Sequence, residues 1–107
     1  MWYILVDKIP TPVTAEEYHK WWSSNPDEKI VAKTYMGNIE ISTVFLGLDH
    51  AYQGRPLLFE TMIFGGEQDE YQERYHTYDE AYNAHRELCT QIGTKELVRQ
   101  SLLNISN

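Results

Sequence analysis

Six side chains able to move a proton, pair a charge or hold a ligand stand out: Asp49, His50, Arg55, Glu60, Arg74 and His85. Asp49 and His50 follow a strand-type run, and a loop with Gly54 and Arg55 separates them from the next such run. A carboxylate beside an imidazole can pass a proton or, with help from elsewhere, ligate a metal. Consecutive strand residues point to opposite faces, so only a turn brings these two together. The competing reading is loop chemistry, with Asp49 accepting backbone amide bonds and His50 exposed. Glu60 interrupts an apolar run and by alternation shares a face with Leu58, Met62 and Phe64. Burial there penalises its charge unless Arg55, Arg74 or a histidine pairs with it, so Glu60 reads as a structural salt bridge or as a functional carboxylate. His85 falls on the apolar stripe of a helix, as a core histidine bonded once or as a ligand.

Other chemistries lack their residues. His50, Glu60, His76 and His85 hold enough donor atoms for zinc or manganese, but their separations match no metal-binding spacing, and no metal is expected. Gly65-Gly66 is too short for a phosphate loop and is followed by acids. Ser42 and Ser101 lack a nucleophile elbow, and Cys89 sits between Leu88 and Thr90 as a core thiol. No cofactor is expected. Classical covalent catalysis is therefore not expected. A small metal- or acid/base-dependent hydrolase using Asp49, His50 and Glu60 is the enzyme alternative.

Charge narrows the partner. The 107 residues hold 9 Lys and Arg against 16 Asp and Glu, a net charge of −7. Nucleic-acid binding relies on a basic footprint, and no basic run exists here, so direct binding to DNA or RNA is not expected. An acidic chain suits a basic protein surface, or is simply kept soluble by its charge. Glu67, Asp69 and Glu70 in the acidic stretch 67–73, together with Trp21, are the candidate contacts with a protein. Trp21 and Trp22 diverge by about 100° on a helix, which puts Trp22 in line with Tyr18 and Trp21 at the margin. A marginal Trp serves as an interaction hot spot, a stacking platform for a base, or a bracket at a sheet edge. A single cysteine excludes an internal disulfide, residues 1–6 lack the length and basic start of a secretory leader, and no run approaches the ~20 apolar residues of a membrane span. A soluble, cytoplasmic protein is expected.

The elements that must position these groups follow from local signals. Residues 2–6 have strand character; Pro10 and Pro12 then predict an extended link without ladder pairing. Thr14 with Glu17 has capping-box spacing for a helix ending near Ser23 or Ser24, before Asn25-Pro26. Gly37-Asn38 between two strand-like runs predicts a hairpin over residues 30–46. Ile39, Ile41, Thr43 and Phe45 share one face; Glu40, Ser42, Val44 and Leu46 share the other. Residues 57–64 form a further strand and 74–76 a short last one. Thr77 with Glu80 opens a helix whose stripe is Ala81, Ala84, His85, Leu88 and Ile92. Gly93 predicts a stop and Thr94 the cap of a final helix. The sum is a single α+β domain over residues 1–107: an antiparallel meander covered on one face by an N-terminal helix and a C-terminal helical pair. The other face is solvated or used for self-association.

Longer matched runs carry a resemblance. Residues 42–50 (STVFLGLDH), 57–66 (LLFETMIFGG), and Arg74-Tyr75 with Thr77, Glu80-Ala81 and His85 form its core. Weaker matches reach back through Val31-Ala32-Lys33 and Glu17-x-x-x-Trp21-Trp22 to Pro10 and Pro12. The chain resembles a widespread set of short bacteriophage and prophage proteins to which no reaction is assigned. Where this chain has residues 51–55 (AYQGR), that set often has a Gly/Pro-rich loop. The resemblance implies an accessory protein acting in the bacterial host cytoplasm by binding, with a role against host defence through blocking a host protein or sequestering a small nucleotide signal. Arg55, Arg74 and the histidines would meet phosphate in the second case.

Overall fold

Most boundaries arise where those local signals place them. In the computed structural model, which describes residues 1–51 and 53–105, the order is β1 (Trp2–Val6), β2 (Ile9–Val13), α1 (Ala15–Ser24), β3 (Ile30–Met36), β4 (Ile39–Phe45), β5 (Phe59–Phe64), β6 (Gln72–Tyr75) and α2 (Tyr78–Ile105). Tyr52 lies outside the described residues. The N-cap Thr14 accepts from Glu17 N while Glu17 returns to Thr14 N, completing the expected box. At α2, Thr77 Oγ1 accepts from Glu80 N, but the Glu80 carboxylate reaches past it to His76 N.

Strands β3, β4, β5 and β6 form an antiparallel sheet in chain order, and β1 with β2 makes a separate hairpin. Both helices reach one face of the larger sheet, as the α+β reading requires. α2 lays Ala81, His85, Leu88 and Ile92 on it, and α1 brings Trp21 edge-on to Phe45. The core has two apolar clusters: Leu5, Phe45, Leu58, Phe59, Tyr75 and Ala81 at the end where α2 begins, and Ile39, Ile41, Ile63 and Ile92 at the other. The hairpin joins through Tyr3 N, which donates to Gly47 O at 2.8 Å. Gly47 has φ +77°, and a Cβ there would stand 2.2 Å from the Tyr18 ring, so glycine lets α1 close on this corner.

Two expectations are corrected. Pro10 and Pro12 lie inside β2, opposite Leu5 and Tyr3 of β1. Asp7 and Lys8 close the hairpin with φ of 49° and 68°, the positive-φ pair of a two-residue turn, which makes Val6 and Ile9 a hydrogen-bonded pair. Pairing alternates from there, so both prolines fall at positions where no amide is asked to donate across the ladder. The C-terminal pair is instead one continuous helix. Gly93 does not adopt positive φ, and Thr94 Oγ1 donates back to Thr90 O at 2.9 Å instead of capping a new start. The good helix formers Lys95, Glu96 and Leu97 follow at once, and they outweigh the roughly 1 kcal/mol cost of one helical glycine.

Candidate functional site

The face of the sheet turned away from the helices carries three cross-strand rows. Tyr35, Glu40 and Phe64 form the first; Lys33, Ser42, Met62 and Gln72 the second; Val44, Glu60 and Arg74 the third. Tyr35 is 67% exposed and Phe64 44%, large apolar bodies on a surface that alternation leaves without a covering layer. Tyr35 Oη donates to Glu40 Oε1 at 3.3 Å, and Lys33 Nζ stands 3.9 Å from the same oxygen. These contacts tie β3 side chains to β4 across the first two rows.

Glu60 is the buried charged member of this open face, only 8% exposed, with Ser42 buried beside it at 9%. Arg74 Nε donates to its Oε2 at 3.0 Å, and Gln72 Nε2 donates to the same oxygen. Both donors come from β6, one from the directly opposed position and one from the preceding row. Of the two readings of Glu60, the arrangement matches the structural pair. A carboxylate so held can fix β6 against β5, and its charge is matched where it sits.

His85 lies on the opposite face of the same sheet. Thr43 and Thr61 are cross-strand neighbours, fully buried between the two apolar clusters, with hydroxyl oxygens 2.5 Å apart. His85 Nδ1 is 2.7 Å from Thr43 Oγ1, and Nε2 is 2.9 Å from Thr34 Oγ1. Either neutral tautomer satisfies this row, since each threonine can donate or accept as required. Burial pushes the His85 pKa down, and its hydroxyl partners carry no charge to offset a proton. Tyr75 Oη is buried near the row and has no hydrogen-bond partner among the described residues. Desolvation pushes its pKa up. His85 is thus bonded at both ring nitrogens, not once.

The loop residues do different work. Asp49 Oδ1 accepts from Ala51 N at 2.8 Å and Leu57 N at 3.0 Å, so the carboxylate holds the loop closed. Those amides keep its pKa below the ordinary aspartate value. His50 is exposed, and its amide donates to Leu57 O. No hydrogen bond or ion pair among the described residues joins Glu60 to Asp49 or His50. Nor do three His, Cys, Asp or Glu side chains among those residues converge as metal ligands. Arg55 lines a cleft of about 210 Å³ with Tyr3, Pro10, Pro56, Leu58 and His76. His76 Nδ1 donates to Pro56 O at 2.9 Å, which leaves Nε2 as the acceptor of the neutral ring. Thus the structure joins Glu60 to Arg74 and separates them from Asp49, Arg55 and His85.

Trp21 is half-buried against Phe45, while Trp22 is capped by Lys29 Nζ, 3.9 Å from its ring centre. The margin residue of the sequence reading is therefore the one turned to the core. In the acidic stretch, Asp69 Oδ1 accepts from Gly65 N at 2.8 Å, leaving Glu67 and Glu70 as exposed charges. Tyr35 and Phe64 escaped the sequence reading of the site, although β-alternation from Glu60 and Lys33 would have placed both on the open face. No helix among the described residues is long and apolar enough to cross a membrane. Comparison with protein-family models, with curated proteins and with solved structures finds no match to this chain.

Proposed function

We propose that this chain is a phage-encoded accessory protein that acts by binding, and that it blocks a host protein through the open face of its four-stranded sheet. The observation carrying this reading is the exposed pair Tyr35 and Phe64, flanked by Glu40, Lys33 and the Glu60–Arg74 bridge. Aromatic side chains lose few rotamers on docking, and polar groups already held in place around them set the register of a partner. The net charge of −7 steers a basic target toward the chain.

Two features argue against the rival readings. The cleft beside Arg55 is smaller than the roughly 300–1,000 Å³ of ordinary ligand sites, which disfavours capture of a nucleotide there. The hydrolase reading needs Asp49 and Glu60 free, and both carboxylates are engaged by donors of the chain itself.

A photo-crosslinking residue placed at position 35, and separately at the exposed helix position 91, tests the proposal in extracts of the bacterial host. The expected result is a discrete crosslinked host protein from position 35, abolished by Phe64→Asp. Products from position 91 alone would sink it. Native mass spectrometry of the gently purified chain tests the nucleotide reading: a retained nucleotide would replace the protein-blocking proposal.

A further inference from the structure

The second half of α2 leaves the sheet. At about 1.5 Å per residue the 28-residue helix is ~42 Å long, against ~23 Å for the seven-residue strands β3 and β4 beneath it. The molecule accordingly measures 59 × 30 × 21 Å. Among the described residues Ile92 is the last buried one; from 94 to 103 none is buried, and Leu97 and Val98 are 72% and 55% exposed. On one flank this projection and the turn joining β5 to β6 bound a groove of about 360 Å³. Ile39 and Ile92 floor the groove, Val98 and Leu102 line the helical wall, and Glu67 stands on the turn.

The two walls carry opposite charge. The projection holds Lys95 and Arg99 against Glu96 alone, a net +1 in a chain of −7. Residues 67–73 supply four acids and no base. Among the described residues, neither Lys95 nor Arg99 forms an ion pair with that turn; Arg99 bridges only Glu96, at 3.2 Å. One molecule therefore displays an apolar, basic helix and, beside it, an apolar groove with an acidic rim.

We infer that the occupant of this groove is the projecting helix of a second copy of this chain, in an antiparallel two-fold pair centred midway between Ile92 and Val98. A two-fold axis places the same patch on both sides, so each helix enters the other's groove. Val98 of each copy then meets the Ile39–Ile92 floor of its partner, and Lys95 and Arg99 face the acidic turn. The helix packing is the ridges-into-grooves contact of antiparallel bundles. This association uses neither Tyr35 nor Phe64, and so stands or falls independently of the proposed target-binding face.

Sedimentation equilibrium of the full chain across 1–100 µM tests it. A monomer–dimer equilibrium is expected. Val98→Asp should raise the dimer dissociation constant at least about tenfold, because a carboxylate enters an apolar contact. Lys95→Glu with Arg99→Glu should weaken the dimer several-fold, the scale of rim charge pairs, and adding Glu67→Lys should recover part of that loss. Far-UV circular dichroism and urea midpoints like those of the unaltered chain would show that the variants fold, since no buried residue is touched. A strictly monomeric unaltered chain overturns the inference, and so does a dimer indifferent to Val98→Asp and to the charge reversals.

Discussion

Two buried polar groups occupy opposite faces of one sheet, one residue apart in register: Thr43 pairs with Thr61 beneath His85, and Val44 pairs with Glu60 beside Arg74. On the helix-covered face the polar row is neutral and enclosed by apolar clusters. On the open face the buried group is an anion balanced by a cation that is itself 36% exposed. The difference teaches how each face uses polarity. Under the helix, three threonines and a histidine satisfy one another, so the core accepts a polar layer without burying net charge. On the open face an ion pair can persist because water still screens one partner.

Substitutions should separate the faces by size of effect. Phe59 is fully buried between Phe45 and Tyr78. Phe59→Ala should cost about 3–5 kcal/mol of stability. Phe64→Ala, one strand end away on the open face, should cost less than about 1 kcal/mol. Urea denaturation of both variants measures the contrast, and equal losses would mean that the open face is packed like a core.

Arg74→Ala leaves the Glu60 carboxylate with Gln72 alone. For fully buried pairs such a loss is about 3–5 kcal/mol; with Arg74 partly in solvent, about 1–3 kcal/mol is expected. Glu60→Met with Arg74→Met should restore most of it, since the strain lies in the orphaned charge. A double variant no more stable than Arg74→Ala would instead assign the loss to missing packing.

His85 distinguishes the faces by pH. Its folded pKa lies below the unfolded value near 6.5, so the unfolded chain binds the proton first. The associated stability is complete above about pH 6.5 and is lost as pH falls from there towards the lowered folded value, where the loss levels off. The slope from this group cannot exceed about 1.4 kcal/mol per pH unit. Urea midpoints at pH 7.5 and 5.5 should therefore differ more in the unaltered chain than in His85→Gln. Equal differences would mean that His85 keeps its proton affinity in the fold.

The smallest effect belongs to Tyr35. Tyr35→Ala should shift stability by no more than about 0.5 kcal/mol, since the ring stands in solvent and its Glu40 bond is exposed. Partner binding should fall tenfold or more if the open face is the recognition surface. Surface plasmon resonance against the crosslinked host protein reads that change directly, and retained affinity would move the interface off this row.

Features that depend on neighbours in the chain were legible in the residues. Thr14 with Glu17 marked a helix start, Gly37-Asn38 a hairpin and Asn25-Pro26 a helix end, because each signal is closed within a few residues. Alternation also sorted Thr43 from Val44 and put Glu60 on a shared face with Met62. Its partner was narrower than the residues allowed: Arg55, Arg74 and the histidines were all candidates, and only strand register chose Arg74. Asp49 offered loop closure or acid–base work, and the positions of Ala51 N and Leu57 N decided for closure.

The sequence by itself determined the α+β class, the start and end of α1, the β3–β4 hairpin and the two-faced strands. Two local features carry the fold further: the Asp7-Lys8 turn sets a register in which Pro10 and Pro12 enter a strand, and the helix formers beyond Gly93 carry α2 past the end of the sheet. Tertiary structure alone placed His85 and Glu60 on opposite faces of one sheet, in separate networks. The physical reason is range: caps and turns are settled by bonds a few residues long, whereas register, burial and charge pairing depend on groups brought together from 14 to 51 residues apart, as Arg74 is to Glu60 and His85 to Thr34.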